Sequence, residues 1–350
     1  MGEKNGFALI GKHRGSIMGF AALWIMFFHI WTVVSAAGSP FYFTEQFIKR
    51  IGFCGVDIFF FLSGIGLTYS IKKGSLALFY YKRIKRIIIP FSAIGIIRCV
   101  LENWGAVKLI RNLLGINFYT KSIYSFLWFV PAILTLYLLF PLYNKLLELS
   151  KKPYVFTACV LLLWLICSLL VRDSMRNDLF GFTNRIPVFV IGVLIGNRLQ
   201  SKDKADFTIL SWICVMLAFV LGLFLAYLTN YKGMYVLVPV SNCCVPNLLI
   251  SISLSLILAK LFELLDNLPV IKLFGKAIVK IFAFFGLFSF ELYVVQEWLG
   301  ELIKPLLPEA LPVIGVNLIL FAAIIAAAFV LYIVSKYIWV GVEKLVKAKR

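Results

Sequence analysis

Residues 16–31 read SIMGFAALWIMFFHIW. Between Ser16 and His29 the stretch holds no charged or strongly polar side chain, and the apolar character runs on to about residue 37. A helix crosses the hydrocarbon core of a bilayer with roughly 17–25 such residues. The bilayer interior offers no water to backbone N–H and C=O groups, so only a helix satisfies a stretch like this internally. The expected first span is therefore 17–37. Working outward, further apolar runs of this kind predict spans at 53–71, 86–103, 126–146, 155–171, 185–198, 207–229, 236–260, 280–299 and 311–336. The sequence thus predicts an all-α, polytopic membrane bundle of about ten transmembrane helices. The sixth span is short, which implies local bilayer thinning or partial insertion. Pro90, Pro131, Pro187 and Pro246 fall in or beside spans, where neighbouring helices can satisfy the carbonyls they free.

The composition agrees with this reading. Of 350 residues, 62% are hydrophobic and 15% charged, with mean hydropathy +0.95. Soluble domains carry roughly 25% charged residues, and a soluble fold this apolar would expose large sticky patches. No long polar stretch remains, so residues 1–350 are expected to form a single membrane-embedded domain with no fused soluble domain. The formal charge of +19 does not point to nucleic acid, because the basic residues sit in short segments between apolar runs. The first apolar run is too long for a cleavable signal peptide and is followed by further spans. Cysteines 54, 99, 159, 167, 214, 243 and 244 lie in or beside apolar runs without metal-type spacing, and a disulfide between adjacent Cys243 and Cys244 would be strained, so none is expected there. No metal site is expected. With the N-terminus inside, cytoplasmic segments would hold 24 of the 35 Lys and Arg residues and outer segments 11. This asymmetry predicts a multi-pass protein of the cell membrane with both termini cytoplasmic.

Ionisable residues inside spans are costly and point to function. His29 lies about twelve residues from the cytoplasmic end of the first span, roughly 18 Å deep at 1.5 Å per residue. A neutral histidine there can take a proton from a hydroxyl at physiological pH; a hydrogen bond to a neighbouring helix is the plainer alternative. Asp57, in GVDIFFFLSG, and Glu291, in FSFELYVV, are acids either of which could orient the imidazole. On the straight ninth span Glu291 would reach the depth of His29. Either acid could instead pair with a basic residue such as Arg98 or Arg185 for packing. YYKRIKRIIIP holds the densest basic cluster, Lys82, Arg83, Lys85 and Arg86. Arg83 and Arg86, three apart, share a helical face and suit a phosphate, although membrane topology alone also accounts for such a cluster. No glycine-rich nucleotide loop accompanies them. In the long connection 104–125, Val107, Ile110 and Leu114 recur at helical spacing, which predicts a short amphipathic helix, as a lid or simply filling space.

At these residues the chain resembles acyltransferase family 3, the integral membrane O-acyltransferases. The resemblance covers nearly the whole chain and rests on the order and spacing of FFH, GVDIFFFLSG, FYYKRIKRIIIPF and LWFVPAILTLYLLFPLY, with RIPVFVIGVLIG and FSFELYVV matching more loosely. It implies transfer of an acyl group, acetyl above all, from cytoplasmic acyl-CoA to a hydroxyl of a saccharide or glycolipid of the cell envelope. It also implies that His29 is the catalytic histidine and that Arg83-Ile-Lys85-Arg86 is the family's RxxR motif, with Lys82 beside it. Asp57, Ser63 and Gly64 would have roles that include structural ones. Two positions depart from the family pattern. A basic residue is usual eleven positions before the histidine, where this chain has Met18; Arg14, one turn earlier, is placed to substitute. The ninth-span motif often ends in histidine, where this chain has Gln296.

Two other classes of function stay open at this level. A transporter or flippase of saccharides or lipids would use His29, Asp57 and Glu291 as a proton relay, although no internal repeat accompanies them. A membrane sensor or scaffold would not need His29.

Overall fold

The computed structural model describes residues 6–120, 126–170, 177–200, 207–233, 244–267 and 272–348. Its helices are α1 (Gly6–Lys12), α2 (Arg14–Ile30), α3 (Pro40–Arg50), α4 (Cys54–Ile71), α5 (Leu76–Leu101), α6 (Ala106–Leu113), α7 (Ile116–Thr120), α8 (Phe129–Leu149), α9 (Pro153–Leu170), α10 (Asn177–Thr183), α11 (Ile186–Gln200), α12 (Ile209–Tyr231), α13 (Cys244–Asn267), α14 (Lys272–Leu287), α15 (Ser289–Ile303) and α16 (Val313–Ala348). No strand occurs among the described residues. The first residues of the span expected from 236, and Cys243 of the adjacent cysteine pair, lie outside the described residues.

Among the described residues, seven helices are long and apolar enough to cross a bilayer: Pro40–Ile71, in which a single 3₁₀ turn joins α3 to α4, α8, α9, Leu179–Gln200, α12, α13 and Val313–Lys344. The span expected at 280–299 is not straight. It breaks at Phe288 into α14 and α15, bent by 72°, and this pair counts as an eighth crossing if taken as one. Two expected spans fall short for identifiable reasons. The first helix ends at Ile30 rather than 37, because residues 31–36 leave the helix for extended and coil backbone. α5 has ample length at 26 residues, but Lys82, Arg83, Lys85, Arg86 and Arg98 interrupt its apolar surface. α4 is buried along most of its length, whereas α9 and α12 leave most of their apolar side chains outward. That outward surface suits lipid rather than water.

Small residues set how closely the helices approach. Gly19 and Gly15 of α2 meet the backbone of α14, where a Cβ on Gly19 would stand 1.8 Å from the Phe282 carbonyl oxygen and one on Gly286 would stand 2.0 Å from that of Gly15. Gly64 of α4 and Gly192 of α11 meet in the same way, with a Cβ on Gly192 2.4 Å from the Phe61 oxygen. Close approach through small residues is how membrane helices gain van der Waals contact where lipid offers no hydrophobic contrast. The helix starts are written locally. Ser39 caps α3 ahead of Pro40, Ser75 caps α5, and Thr208 with Ser211 forms a capping box on α12. The expected amphipathic helix at 104–125 is present as α6, followed by the short α7. Val107, Ile110 and Leu114 face outward while Leu109 and Leu113 pack on the core.

Replacing Gly192 with Ala should force α4 and α11 apart and cost about 1–3 kcal/mol, read as a lowered midpoint of thermal unfolding in detergent. Gly11→Ala, which meets nothing within 4 Å, is the control. An undiminished midpoint in Gly192→Ala would contradict the close α4–α11 contact.

Candidate active site

The break at Phe288 decides what the bundle encloses. A cavity of about 310 Å³ lies between α2, α4, α5, α8, α14, α15 and α16. Its polar lining comes from Arg14 of α2, Ser63 of α4, Arg83 and Arg86 of α5, Tyr137 of α8, Ser289 and Tyr293 of α15, and Tyr332 of α16. Three arginines from two helices therefore converge on one space. The Nε atoms of Arg14 and Arg83 are buried and have no hydrogen-bond partner among the described residues. Arg86 donates to the Leu287 carbonyl oxygen at 3.1 Å, across the helix break. The Arg83 guanidinium lies over the rings of Phe79 and Tyr137, 5.5 and 5.8 Å from their centroids. Gly66 leaves the Arg14 guanidinium room, since a Cβ there would stand 3.2 Å from Nη2. α15 begins at Ser289, on the cavity wall, so the positive dipole end of this helix adds to the three cations. This arrangement suits a phosphate or another polyanion. Glu291, buried in the first turn of α15, is the opposing charge; its carboxylate acts on Arg86, and its Oε2 has no hydrogen-bond partner among the described residues.

The rest of the basic cluster stands apart. Lys82 is exposed. Lys85 pairs with Glu343 of α16 and lies 5.5 Å from the Trp339 ring centroid. Neither lines the cavity. Met18 lines it one turn above Arg14, so the departure from the family pattern at Met18 and its neighbour Arg14 face one space.

His29 stands at the end of its helix rather than inside a span that runs on to residue 37. It is the penultimate residue of α2, 15 positions and therefore about 22 Å beyond Arg14. Its ring is exposed and packs edge-on against Phe28. α15 runs alongside α2 in the same direction, for Ser289 and Tyr293 share the cavity with Arg14 while Gly300 touches Ile30. Glu291 lies nine residues, about 13 Å, before Gly300 on α15, and the equal depth expected of it and His29 is lost because the helix restarts at Ser289. The carboxylate whose charge acts on His29 is that of Glu301. Asp57 turns elsewhere as well. Gly55, two residues earlier, faces Ala21 and Ile25 of α2, whereas Asp57 pairs with Arg185 at 3.4 Å and accepts a hydrogen bond from Asn247 Nδ2 at 3.0 Å. Arg185 in turn lies over the Trp128 ring, 5.0 Å from its centroid. This buried cluster joins α4, α11 and α13. Gln296, on the stretch of α15 between cavity and Gly300, is buried with its Oε1 lacking a hydrogen-bond partner among the described residues.

Sequence reading did not single out Tyr137, Ser289, Tyr293, Tyr332 or Glu301. Ser289 and Tyr293, four apart, share a helical face, but their register became readable only once the break at Phe288 was known. Among the described residues no group of three or more His, Cys, Asp or Glu side chains is placed to hold a metal ion.

Removing one partner of the Asp57–Arg185 pair should leave a buried uncompensated charge and cost about 3–5 kcal/mol. Arg185→Met should therefore unfold readily in detergent, while Asp57→Asn combined with Arg185→Met should recover most of that loss. Equal instability of the single and double variants would contradict a paired role.

Comparison with known proteins gives one match. The profile of the family described as Acyltransferase domain matches residues 18–334, nearly the whole bundle from α2 into α16. No curated protein and no solved structure matches the chain.

Proposed function

The chain belongs to acyltransferase family 3, and on that premise we propose that it moves an acyl group, acetyl in the simplest case, from acyl-CoA to a hydroxyl of a saccharide or glycolipid. The observation that carries this reading is the convergence of Arg14, Arg83, Arg86 and the start of α15 on one cavity, with His29 farther along the same helix as Arg14. The phosphates of the donor meet the arginines, where charge-assisted forks match phosphate oxygens. The long pantetheine arm then runs along α2 and α15 and brings the thioester to His29. There the imidazole takes the acceptor's hydroxyl proton as the oxygen attacks the thioester carbonyl. The tetrahedral intermediate collapses with cleavage of the C–S bond, and the departing thiolate receives the proton from the imidazolium. Glu301 supports the imidazolium, the part that the sequence left open between Asp57 and Glu291. Asp57 serves the packing of α4 against α11 and α13, and Glu291 offsets the positive charge beside Arg86.

We further propose that α2 and α5 cross the membrane together with the seven apolar helices and the bent α14–α15 pair, ten crossings in all. Both termini are then cytoplasmic, because the basic residues divide 24 to 11 between the two sides. The arginine cavity opens toward the cytoplasm, where acyl-CoA is made, and His29 stands at the opposite end of α2.

Three tests follow from this arrangement. In a cysteine-free background, Lys73→Cys and Lys151→Cys should resist an impermeant thiol reagent in intact cells; labelling from outside would reverse the orientation. Arg14→Ala, Arg83→Ala and Arg86→Ala should each weaken acyl-CoA binding by about ten- to a hundredfold, the loss of one charge-assisted contact of about 1.5–3 kcal/mol. Unchanged affinity in all three would leave the cluster as a topology signal. His29→Gln keeps hydrogen bonding but cannot accept a proton at neutral pH, and it should lower transfer about a hundred- to ten-thousandfold. Wild-type transfer to acceptor by this variant would remove the base assignment.

A further inference from the structure

α2 stops at Ile30, and the chain leaves it in an extended conformation at Trp31 (φ −70°, ψ 127°). A free helix end of this kind frays, because its last carbonyls have no partner within the helix. Here the next five residues are held from two sides. On one side, Asn317 of α16 grips both polar groups of a single peptide residue. The Thr32 N–H donates to Asn317 Oδ1 at 2.9 Å, and Asn317 Nδ2 donates to the Thr32 carbonyl at 2.7 Å. Lys304 Nζ adds a bond to Thr32 Oγ1 at 3.3 Å. On the other side, Glu45 of α3 accepts from the Trp31 indole N–H at 2.7 Å, the Val34 N–H at 2.8 Å and the Ser35 N–H at 2.9 Å. The Trp31 ring also packs edge-on against Phe321, with centroids 5.7 Å apart.

Asn317 is fully buried in the apolar run VIGVNLILFAAII. Burying an amide there is costly unless its bonds are made, and both of its polar atoms are spent on Thr32. Glu45 likewise commits both carboxylate oxygens to this segment. Closing the connection between α2 and α3 does not require such an investment, since short surface loops tolerate solvated backbone. What the two anchors do accomplish is to fix the end of α2, and with it the rotation of the ring two residues before Trp31.

We propose that Asn317 and Glu45 are positioning residues for His29, acting through the extended segment Trp31–Ser35. The proposal rests on the reading of His29 as the base of acyl transfer. In that reading the imidazole must meet the acceptor hydroxyl and the thioester within hydrogen-bond reach, and a displacement of about 1 Å can cost a hundredfold in rate. Neither residue touches substrate.

The test compares Asn317→Ala and Glu45→Gln with wild type and with His29→Gln. Glu45→Gln keeps one acceptor oxygen but presents an NH₂ group where the second oxygen stood, and it leaves the buried bundle untouched. Both variants should lower kcat by about ten- to a hundredfold, with donor KM unchanged. Added to His29→Gln, neither should cost anything further, because a residue that acts only through His29 has nothing left to position. Unchanged kcat in both variants, or losses that add fully to that of His29→Gln, would overturn the proposal. A second readout does not depend on the reaction. The rate at which diethyl pyrocarbonate modifies His29, assigned by mass spectrometry to separate it from His13, should change in Asn317→Ala, and an identical rate would overturn the positioning role. Full activity of His29→Gln would remove the base reading instead, a result distinguishable from either of these.

Discussion

Backbone contact between α2 and α14 is the constraint on which the other features depend. Gly15, Gly19 and Gly286 let the two helices meet without side chains between them, and Ser16 donates to the Val279 carbonyl within the same contact at 3.0 Å. In a bilayer such a contact is among the few that favour one helix pairing over another, because lipid tails solvate leucine as well as protein does. Beyond this contact the chain does not run straight on. It turns by 72° at Phe288, and α15 starts again beside α2. The start of α15 then delivers its positive dipole end, Ser289 and Tyr293 to the space into which Arg14, Arg83 and Arg86 point. A polar, cationic cavity inside an apolar bundle is costly unless something fills it, and in the proposed function that occupant is the acyl donor.

On the proposed reading the site is elongated, with chemistry separated by distance along α2. Arg14 stands at one end and His29, about 22 Å away, at the other. An enzyme that takes its donor from one face of a membrane and serves an acceptor near the other needs such a span, because neither substrate then has to cross. The ends are built differently. The arginine end is enclosed by seven helices. The histidine end is open, and Asn317 and Glu45 hold the extended segment beyond it.

Much of this was legible in the sequence. The apolar runs located the long helices but missed some ends by ten residues or more, as at the start of α5 and the end of α16, and the spacing of Arg83 and Arg86 placed them on one helix face, which the cavity bears out. What could not be read was anything that depends on the break at Phe288. No proline or glycine marks that residue; the nearest glycine, Gly286, is used for packing. Treating 280–299 as one straight helix placed Glu291 opposite His29, when the restart places it beside Arg86. Asp57 was ambiguous for a related reason. Its partners Arg185 and Asn247 are 128 and 190 positions away in sequence, and nothing local distinguishes a buried ion pair from a catalytic acid. Glu301 escaped notice because it lies beyond the apolar stretch, where an exposed acid looks like ordinary solvated surface.

The central claim is that one elongated site joins the arginine cavity to His29. A structure of the purified protein with a non-hydrolysable acyl-CoA thioether tests it most directly. Phosphate density between Arg14, Arg83 and Arg86, with the carbon standing for the thioester carbonyl near the His29 ring, is the result expected. Phosphates bound elsewhere, or a donor whose acyl end stops in the cavity far from His29, would contradict it.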